Sequence, residues 1–212
     1  MPMQVDDGGG AVLKGLITDL GLHVHTGVGT SSIADHPEHQ DRLQVTLSDD
    51  STIDAALVVF SAGVRPRDQL AREAGIDVGE RGGVLTDNAC RTSDPDVYAI
   101  GEVAAVDGRC YGLVAPGYTT AEVVADQLLG GDSRFPGADM STKLKLLGVD
   151  VASFGDAMGT TENALEIVYH DPVAGKYAKL VLSDDAKTLL GGILVGDASA
   201  YAMLKPMVGR EI

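Results

Sequence analysis

The sequence predicts an α/β fold joined to a small α+β unit, and three observations carry that expectation. A helical pattern near the start runs directly into a strand-like one. A continuous apolar run occupies Ala55 to Phe60. Beyond residue 137, four strand-like segments are followed by a single helix.

Taken in order, Ala11, Val12, Leu13, Leu16, Ile17 and Leu20 recur at helical spacing, and Gly21 sits where a helix would stop. Leu22-His23-Val24-His25 alternates like a strand, so the pair reads as the second half of a βαβ unit whose first half is missing. Leu43 to Leu47 alternates with period two, Asp49-Asp50 makes a turn, and extended structure resumes at Ile53, which predicts a hairpin. Ala55 to Phe60 has the composition of a strand covered on both faces. Gly82-Gly83 turns into a short strand at Val84 to Thr86, and a second short strand, Val97 to Ile100, ends at Gly101. Tyr118 to Leu129 is helical and is stopped by Gly130-Gly131, after which 132–138, with Pro136 and Gly137, forms the expected linker. The last unit holds strands at 149–154, 164–170, 177–182 and 189–195, then a helix from about Ala198 to Val208 with Asp197 as its N-cap.

Composition narrows the partners. The chain of 212 residues is 44% hydrophobic and 22% charged, enough to bury a core in one or two globular units. Its formal net charge of -15 repels phosphate backbones and anionic head groups, which sets nucleic acid and membrane surfaces aside. Apolar stretches fall far short of the roughly 20 residues needed to span a bilayer. The start, Met1-Pro2-Met3-Gln4-Val5-Asp6-Asp7, has neither a basic nor an apolar leader region, so the cytoplasm is the expected location. Cys90 and Cys110 match no redox or metal spacing and are expected as small core residues. His36 and His39 are expected in a solvated polar loop, and His23 and His25 as structural residues, leaving no metal site.

The richest segment is Thr92-Ser93-Asp94-Pro95-Asp96-Val97-Tyr98-Ala99-Ile100-Gly101-Glu102. A strand ending in glycine and a carboxylate puts an acceptor at the carboxyl edge of a sheet, where it can hold a ribose or ribityl hydroxyl. Ser61-Ala62-Gly63-Val64-Arg65-Pro66 supplies a G-x-x-P element, in which the glycine leaves the backbone open to close approach. Tyr111-Gly112-Leu113-Val114-Ala115-Pro116-Gly117-Tyr118 leads into a helix whose amino terminus offers free backbone N–H groups and a positive dipole end.

Together these segments resemble the pyridine nucleotide-disulfide oxidoreductase-like flavoproteins. Their return strand usually ends in Gly-Asp, and Gly101-Glu102 narrows the resemblance to the assimilatory NAD(P)H nitrite reductase large subunits. Ser141-Thr142-Lys143-Leu144-Lys145 and Gly191 to Asp197 are similar to the carboxy-terminal domain of that group and of the rubredoxin and ferredoxin reductases. Gln4-Val5-Asp6 and Gly8-Gly9-Gly10 resemble the family just before a helix.

The resemblance implies a remnant of an NAD(P)-binding domain at 1–64, the carboxy-terminal part of an FAD-binding domain at 65–136, and a small α+β domain at 137–212. It further implies FAD and NAD(P)H as cofactors, with Gly63, Pro66, Gly101, Glu102, Val114, Ala115, Pro116 and Lys143 toward them. No residue is assigned to catalysis, and siroheme and an iron-sulfur cluster would be ligated outside this chain. NADH and NADPH both stay open as donors, and rubredoxin or ferredoxin as alternative acceptors. Neither G-x-G-x-x-G fingerprint is present, so the chain is expected to be a fragment that binds FAD weakly and exposes open strand edges. Its expected partners are the remaining domains of a longer enzyme and a second copy. A non-catalytic dimerising or docking module is the competing expectation.

Overall fold

The computed structural model describes residues 4–212, so Met1 to Met3 of the amino-terminal reading lie outside the described residues. The chain divides into two compact units: the residues up to Val59 together with Met140–Ile212, and Phe60–Asp139.

In the first unit, helix α1 spans Asp7–Asp19 and begins four residues earlier than its apolar spacing indicates. Asp6 caps it, its carboxylate accepting the Gly9 N–H at 2.9 Å. The triplet Gly8-Gly9-Gly10 therefore lies inside the helix and not before it. The reason is packing: a Cβ on Gly8 would stand 2.8 Å from the Tyr177 ring. Gly21, at φ +84°, ends the helix as expected. Leu22 to His25 forms no strand, since the described residues offer it no pairing neighbour; Val24 packs instead on the core beneath α1.

The predicted hairpin is present as β2 (Leu43–Leu47) and β3 (Thr52–Ala55), paired antiparallel from Leu43↔Ala55 to Thr46↔Thr52. A preceding strand, β1 (Thr30–Asp35), extends this sheet on the other side of β2. Sequence patterning misses β1 because all of its residues are exposed. His36 departs from the solvated-loop expectation: its Nδ1 accepts the N–H groups of Glu38 and His39, and its Nε2 lies 3.3 Å from Asp54. The doubly covered strand expected at Ala55 to Phe60 does not form. It ends at Ala55, and Leu57, Val59 and Phe60 are exposed, because the described residues supply no flanking parallel strands to cover them.

The rest of this unit is an antiparallel sheet of β6 (Thr142–Leu146), β7 (Val149–Gly155), β8 (Leu165–Asp171), β9 (Lys176–Leu182) and β10 (Leu189–Val195), in the order β6-β7-β10-β9-β8. Alternation sends Val151, Tyr177, Ile193 and Val195 to α1, where Leu13 and Ile17 meet them. It sends Ala152, Phe154, Leu182 and Leu194 to the opposite face, under α4 (Tyr201–Leu204) and a 3-10 turn at Lys205–Met207. The closing helix is thus shorter than 198–208, and Ala200 is its N-cap. Asp197 instead pairs with Lys176 at 2.9 Å and accepts the Ser199 N–H.

Beneath α1, Lys179 is buried at 3% exposure between Asp6 (2.9 Å) and Glu166 (3.0 Å), and the Tyr177 hydroxyl donates to Asp6 at 2.8 Å. Burial pushes the Lys179 ammonium down, but its two carboxylate partners outweigh this and hold it above the ordinary value. Burial and the bond to Asp6 push the Tyr177 phenol well up.

After β7, Asp156 closes a turn by accepting the N–H and hydroxyl of both Thr160 and Thr161 at 2.7–2.9 Å. Burial raises its carboxyl, yet these four bonds bring it down from 3.8 to about 2. A depressed carboxyl stabilises the fold above its unfolded value, and that contribution is lost as pH falls toward 2. Asp156→Asn is therefore expected to cost about 1–2 kcal/mol at neutral pH. It should also flatten the dependence of the urea midpoint on pH between about 4 and 2.

The second unit holds α2 (Gln69–Glu73), the parallel pair β4 (Val84–Thr86) and β5 (Ala104–Val106), and α3 (Val114–Leu128). Val84, Cys90, Ala104, Val106, Val123 and Phe135 form its core. Cys90 is the core residue expected, its thiol pushed up to about 11 by burial and by Asp87. Cys110 is exposed, its sulfur 3.7 Å from the Gly82 carbonyl in a surface loop. The expected linker at 132–138 is anchored: Phe135 is buried edge-on against Tyr111, and its N–H donates to Asn88 at 2.7 Å. Among the described residues no helix is long and apolar enough to cross a membrane, and no group of three or more His, Cys, Asp or Glu could hold a metal.

Candidate functional site

The segment from Asp87 to Glu102 turns on a hairpin and not on a strand. Thr92 N–H donates to Val97 and Ala99 N–H to Cys90, while the Thr92 hydroxyl donates to Val97 at 2.9 Å and pins the Asp94-Pro95 turn. Val97 to Ile100 therefore forms an isolated bridge, Arg91↔Tyr98, where a strand was expected. Ile100 is still extended, but Gly101 at φ +72° redirects the chain into a 3-10 turn, Gly101–Val103, from which β5 starts. The Gly101-Glu102 pair thus stands at the amino end of β5 rather than at the carboxyl end of a strand.

That turn is seated on the first turns of α3. Gly101 N–H donates to the Thr120 hydroxyl at 3.3 Å, and Thr120 donates in turn to the Gly117 carbonyl at 3.0 Å. A Cβ on Gly117 would reach 3.4 Å from the Gly101 Cα, so glycine sets the approach of the two segments. Thr120 is buried and was missed by sequence reasoning; its i, i+3 spacing from Gly117, which puts both on one helix face, was the available signal.

Helix α3 starts at Val114, earlier than Tyr118, because Pro116 is tolerated in a first turn, where its missing N–H has no intrahelical partner to lose. Leu113 gives no side-chain cap. Val114 and Ala115 are exposed, Pro116 is buried, and Tyr118 is 70% exposed. Glu102 is exposed as well. The result is an open helix start with an apolar rim and a carboxylate on the adjoining turn. An added Cβ on Gly101 would meet nothing within 4 Å, so its backbone is open to approach. These residues fit the ribityl and ring side of a flavin dinucleotide.

Gly63, at φ +88°, is exposed with open space about it, and Pro66 packs 3.6 Å from where a Gly82 Cβ would lie. Asp68 accepts the Gly83 N–H at 2.8 Å and both ends of a fork from Arg72, which holds its carboxyl below the ordinary range. Gly83 in turn abuts Ala105 of β5. Seven of the eight sequence-selected residues thus fall in the second unit. Lys143 falls in the first, exposed on β6 with its ammonium 5.9 Å from the Tyr201 ring centroid.

Comparison with known proteins agrees along the whole chain. Residues 1–127 match the family described as pyridine nucleotide-disulphide oxidoreductase, and residues 141–212 match the rubredoxin NAD+ reductase C-terminal domain. The nitrite reductase [NAD(P)H] large subunit of Klebsiella oxytoca is 51% identical over 98% of this chain and 21% of its own length. The nitrite reductase (NADH) large subunit of Escherichia coli K12 is 47% identical over 100% of this chain and 25% of its own. The chain thus spans a fifth to a quarter of the length of these two relatives. Among solved structures, the ferredoxin reductase for the CYP199A2 system from Rhodopseudomonas palustris superposes with TM-score 0.76 at 22% identity, covering 100% of this chain and 52% of that one. This likeness shows a shared fold, that of roughly half a reductase.

Proposed function

Because the chain belongs to the pyridine nucleotide-disulphide oxidoreductase family, we propose that it forms part of an FAD-dependent NAD(P)H oxidoreductase, most closely a nitrite reductase large subunit. The observation that carries this reading is the Gly101-Glu102 turn bonded through Thr120 to the open start of α3. Seen this way, 1–64 belongs to an NAD(P)-binding domain, 65–136 to an FAD-binding domain and 137–212 to a small carboxy-terminal domain. The remaining domains of a longer cytoplasmic enzyme are its partners.

When bound, FAD supplies the capacity to take a hydride from NAD(P)H and release electrons singly toward a metal centre that reduces nitrite to ammonia. The protein groups bind and orient it. Glu102 accepts a ribityl hydroxyl, the first N–H groups of α3 and its positive dipole end favour the electron-rich ring edge, and Val114, Ala115 and Pro116 exclude water there. By the family's pattern, Gly63 and Pro66 serve the nicotinamide, and Lys143 serves the flavin or a dinucleotide phosphate.

The test is the visible absorption spectrum of the purified chain before and after excess FAD and gel filtration. Retained flavin bands mean that this half-site is organised on its own. A colourless protein means that flavin is held only in the longer enzyme. In that longer enzyme, Glu102→Ala is expected to weaken flavin affinity by about tenfold or more, the loss of one charge-assisted hydrogen bond. Unchanged flavin stoichiometry after dilution and gel filtration would remove Glu102 from the site. The match of 141–212 to a rubredoxin reductase domain favours a second reading, transfer to rubredoxin or ferredoxin. Reduction of added rubredoxin, with no nitrite turnover, would select it.

A further inference from the structure

We propose that buried Thr120 is a positioning residue for the flavin: its hydroxyl sets the spacing between Glu102 and the open start of α3, and so governs how tightly the cofactor is held. The inference rests on the flavin reading of this site. The groups that grip the cofactor in that reading stand on different elements, Glu102 on the 3-10 turn and the free N–H groups on α3. The chain that connects them, 107–113, is almost wholly exposed and carries Gly108 and Gly112 at positive φ, so it does not fix their separation. A non-covalent brace has to do so.

Thr120 has the geometry of that brace. At 3% exposure, its hydroxyl gives its one proton to the Gly117 carbonyl at 3.0 Å, which leaves the oxygen as an acceptor for the Gly101 N–H at 3.3 Å. Glu102, the next residue, is exposed, so its place follows from that backbone anchor. A further contact holds Thr120 itself. The thiol of fully buried Cys90 lies 3.9 Å from the Thr120 carbonyl, and the Cys90 carbonyl accepts the Ala99 N–H at 3.1 Å, two residues before Gly101. Cys90 thus touches α3 and the run into the turn at once. It does so from φ +63°, a region that residues other than glycine rarely adopt, and such strain gathers where a ligand needs a fixed frame.

Flavin affinity of the longer enzyme, measured by fluorescence as cofactor is removed and added back, tests this in a double-mutant cycle with Glu102. Thr120→Val keeps the side-chain shape without the hydroxyl and is expected to weaken flavin binding about tenfold or more, whereas Thr120→Ser stays within about twofold of the wild type. In a Glu102→Ala background, Thr120→Val is expected to cost little further, because it acts through that residue. Circular dichroism of the full chain verifies folding, and if Thr120→Val fails to fold, Thr120→Ala takes its place in the cycle. Wild-type affinity in Thr120→Val, no rescue by Thr120→Ser, or strictly additive losses overturns the proposal and leaves the flavin reading standing. Full flavin retention in Glu102→Ala overturns that reading and the proposal with it.

Discussion

Gly191→Ala is expected to destabilise the carboxy-terminal sheet by about 3 kcal/mol or more. Gly191 lies in β10, hydrogen-bonded between β7 and β9, and the β9 register shifts between Leu189 and Gly191. A Cβ there would stand 2.5 Å from the backbone C and N of Asp156 and 2.6 Å from the Phe154 carbonyl. Those are main-chain atoms, so no rotamer change relieves the clash. Asp156 is held in place by its N–H to Leu190 at 2.9 Å and by the threonine turn. The strands must separate, and the cores on both faces of the sheet loosen with them. Urea unfolding followed by far-ultraviolet circular dichroism would register the loss. An unchanged midpoint would mean that β7 and β10 can part locally at little cost.

Lys179→Ala is expected to cost about 3 kcal/mol, because it leaves Asp6 and Glu166 facing one another without the cation between them. Asp6→Ala should cost a comparable amount. It removes one of two counter-charges from a lysine that is 3% exposed, and it also removes the N-cap of α1. The double variant should cost less than the two single losses added, since the residues share one network. Strict additivity in denaturant unfolding would show that the lysine and Asp6 act separately.

The parts of the fold that could be read in advance are those whose partners are local. The hairpin about Asp49-Asp50 and the neighbouring pairs β8-β9 and β9-β10 carry their pairing in their own alternation and turns, and are found, whereas the pairing of β7 with the distant β10 was not legible. Ala55 to Phe60 shows the opposite case: an apolar run states a preference for burial but not what will cover it. Proline misled once: Pro116-Gly117 looked like a loop yet opens α3. The expected linker at 132–138 is irregular and ends beside the boundary of the two units, with Phe135 within it buried. At the candidate site, Gly101, Glu102 and the 114–116 segment were legible from motif order. The Gly101–Thr120 bond that joins them was not, because it links residues 19 positions apart in two different elements.

The grouping of α1 with strands from the far end of the chain bears on the order of synthesis. Residues 60–139 leave the ribosome as one uninterrupted block, and every contact of their core is available as soon as they emerge. Leu13 and Ile17 must wait for Tyr177 and Ile193, about 160 residues later. The seam between α1 and the carboxy-terminal sheet therefore closes later in synthesis than the core of 60–139.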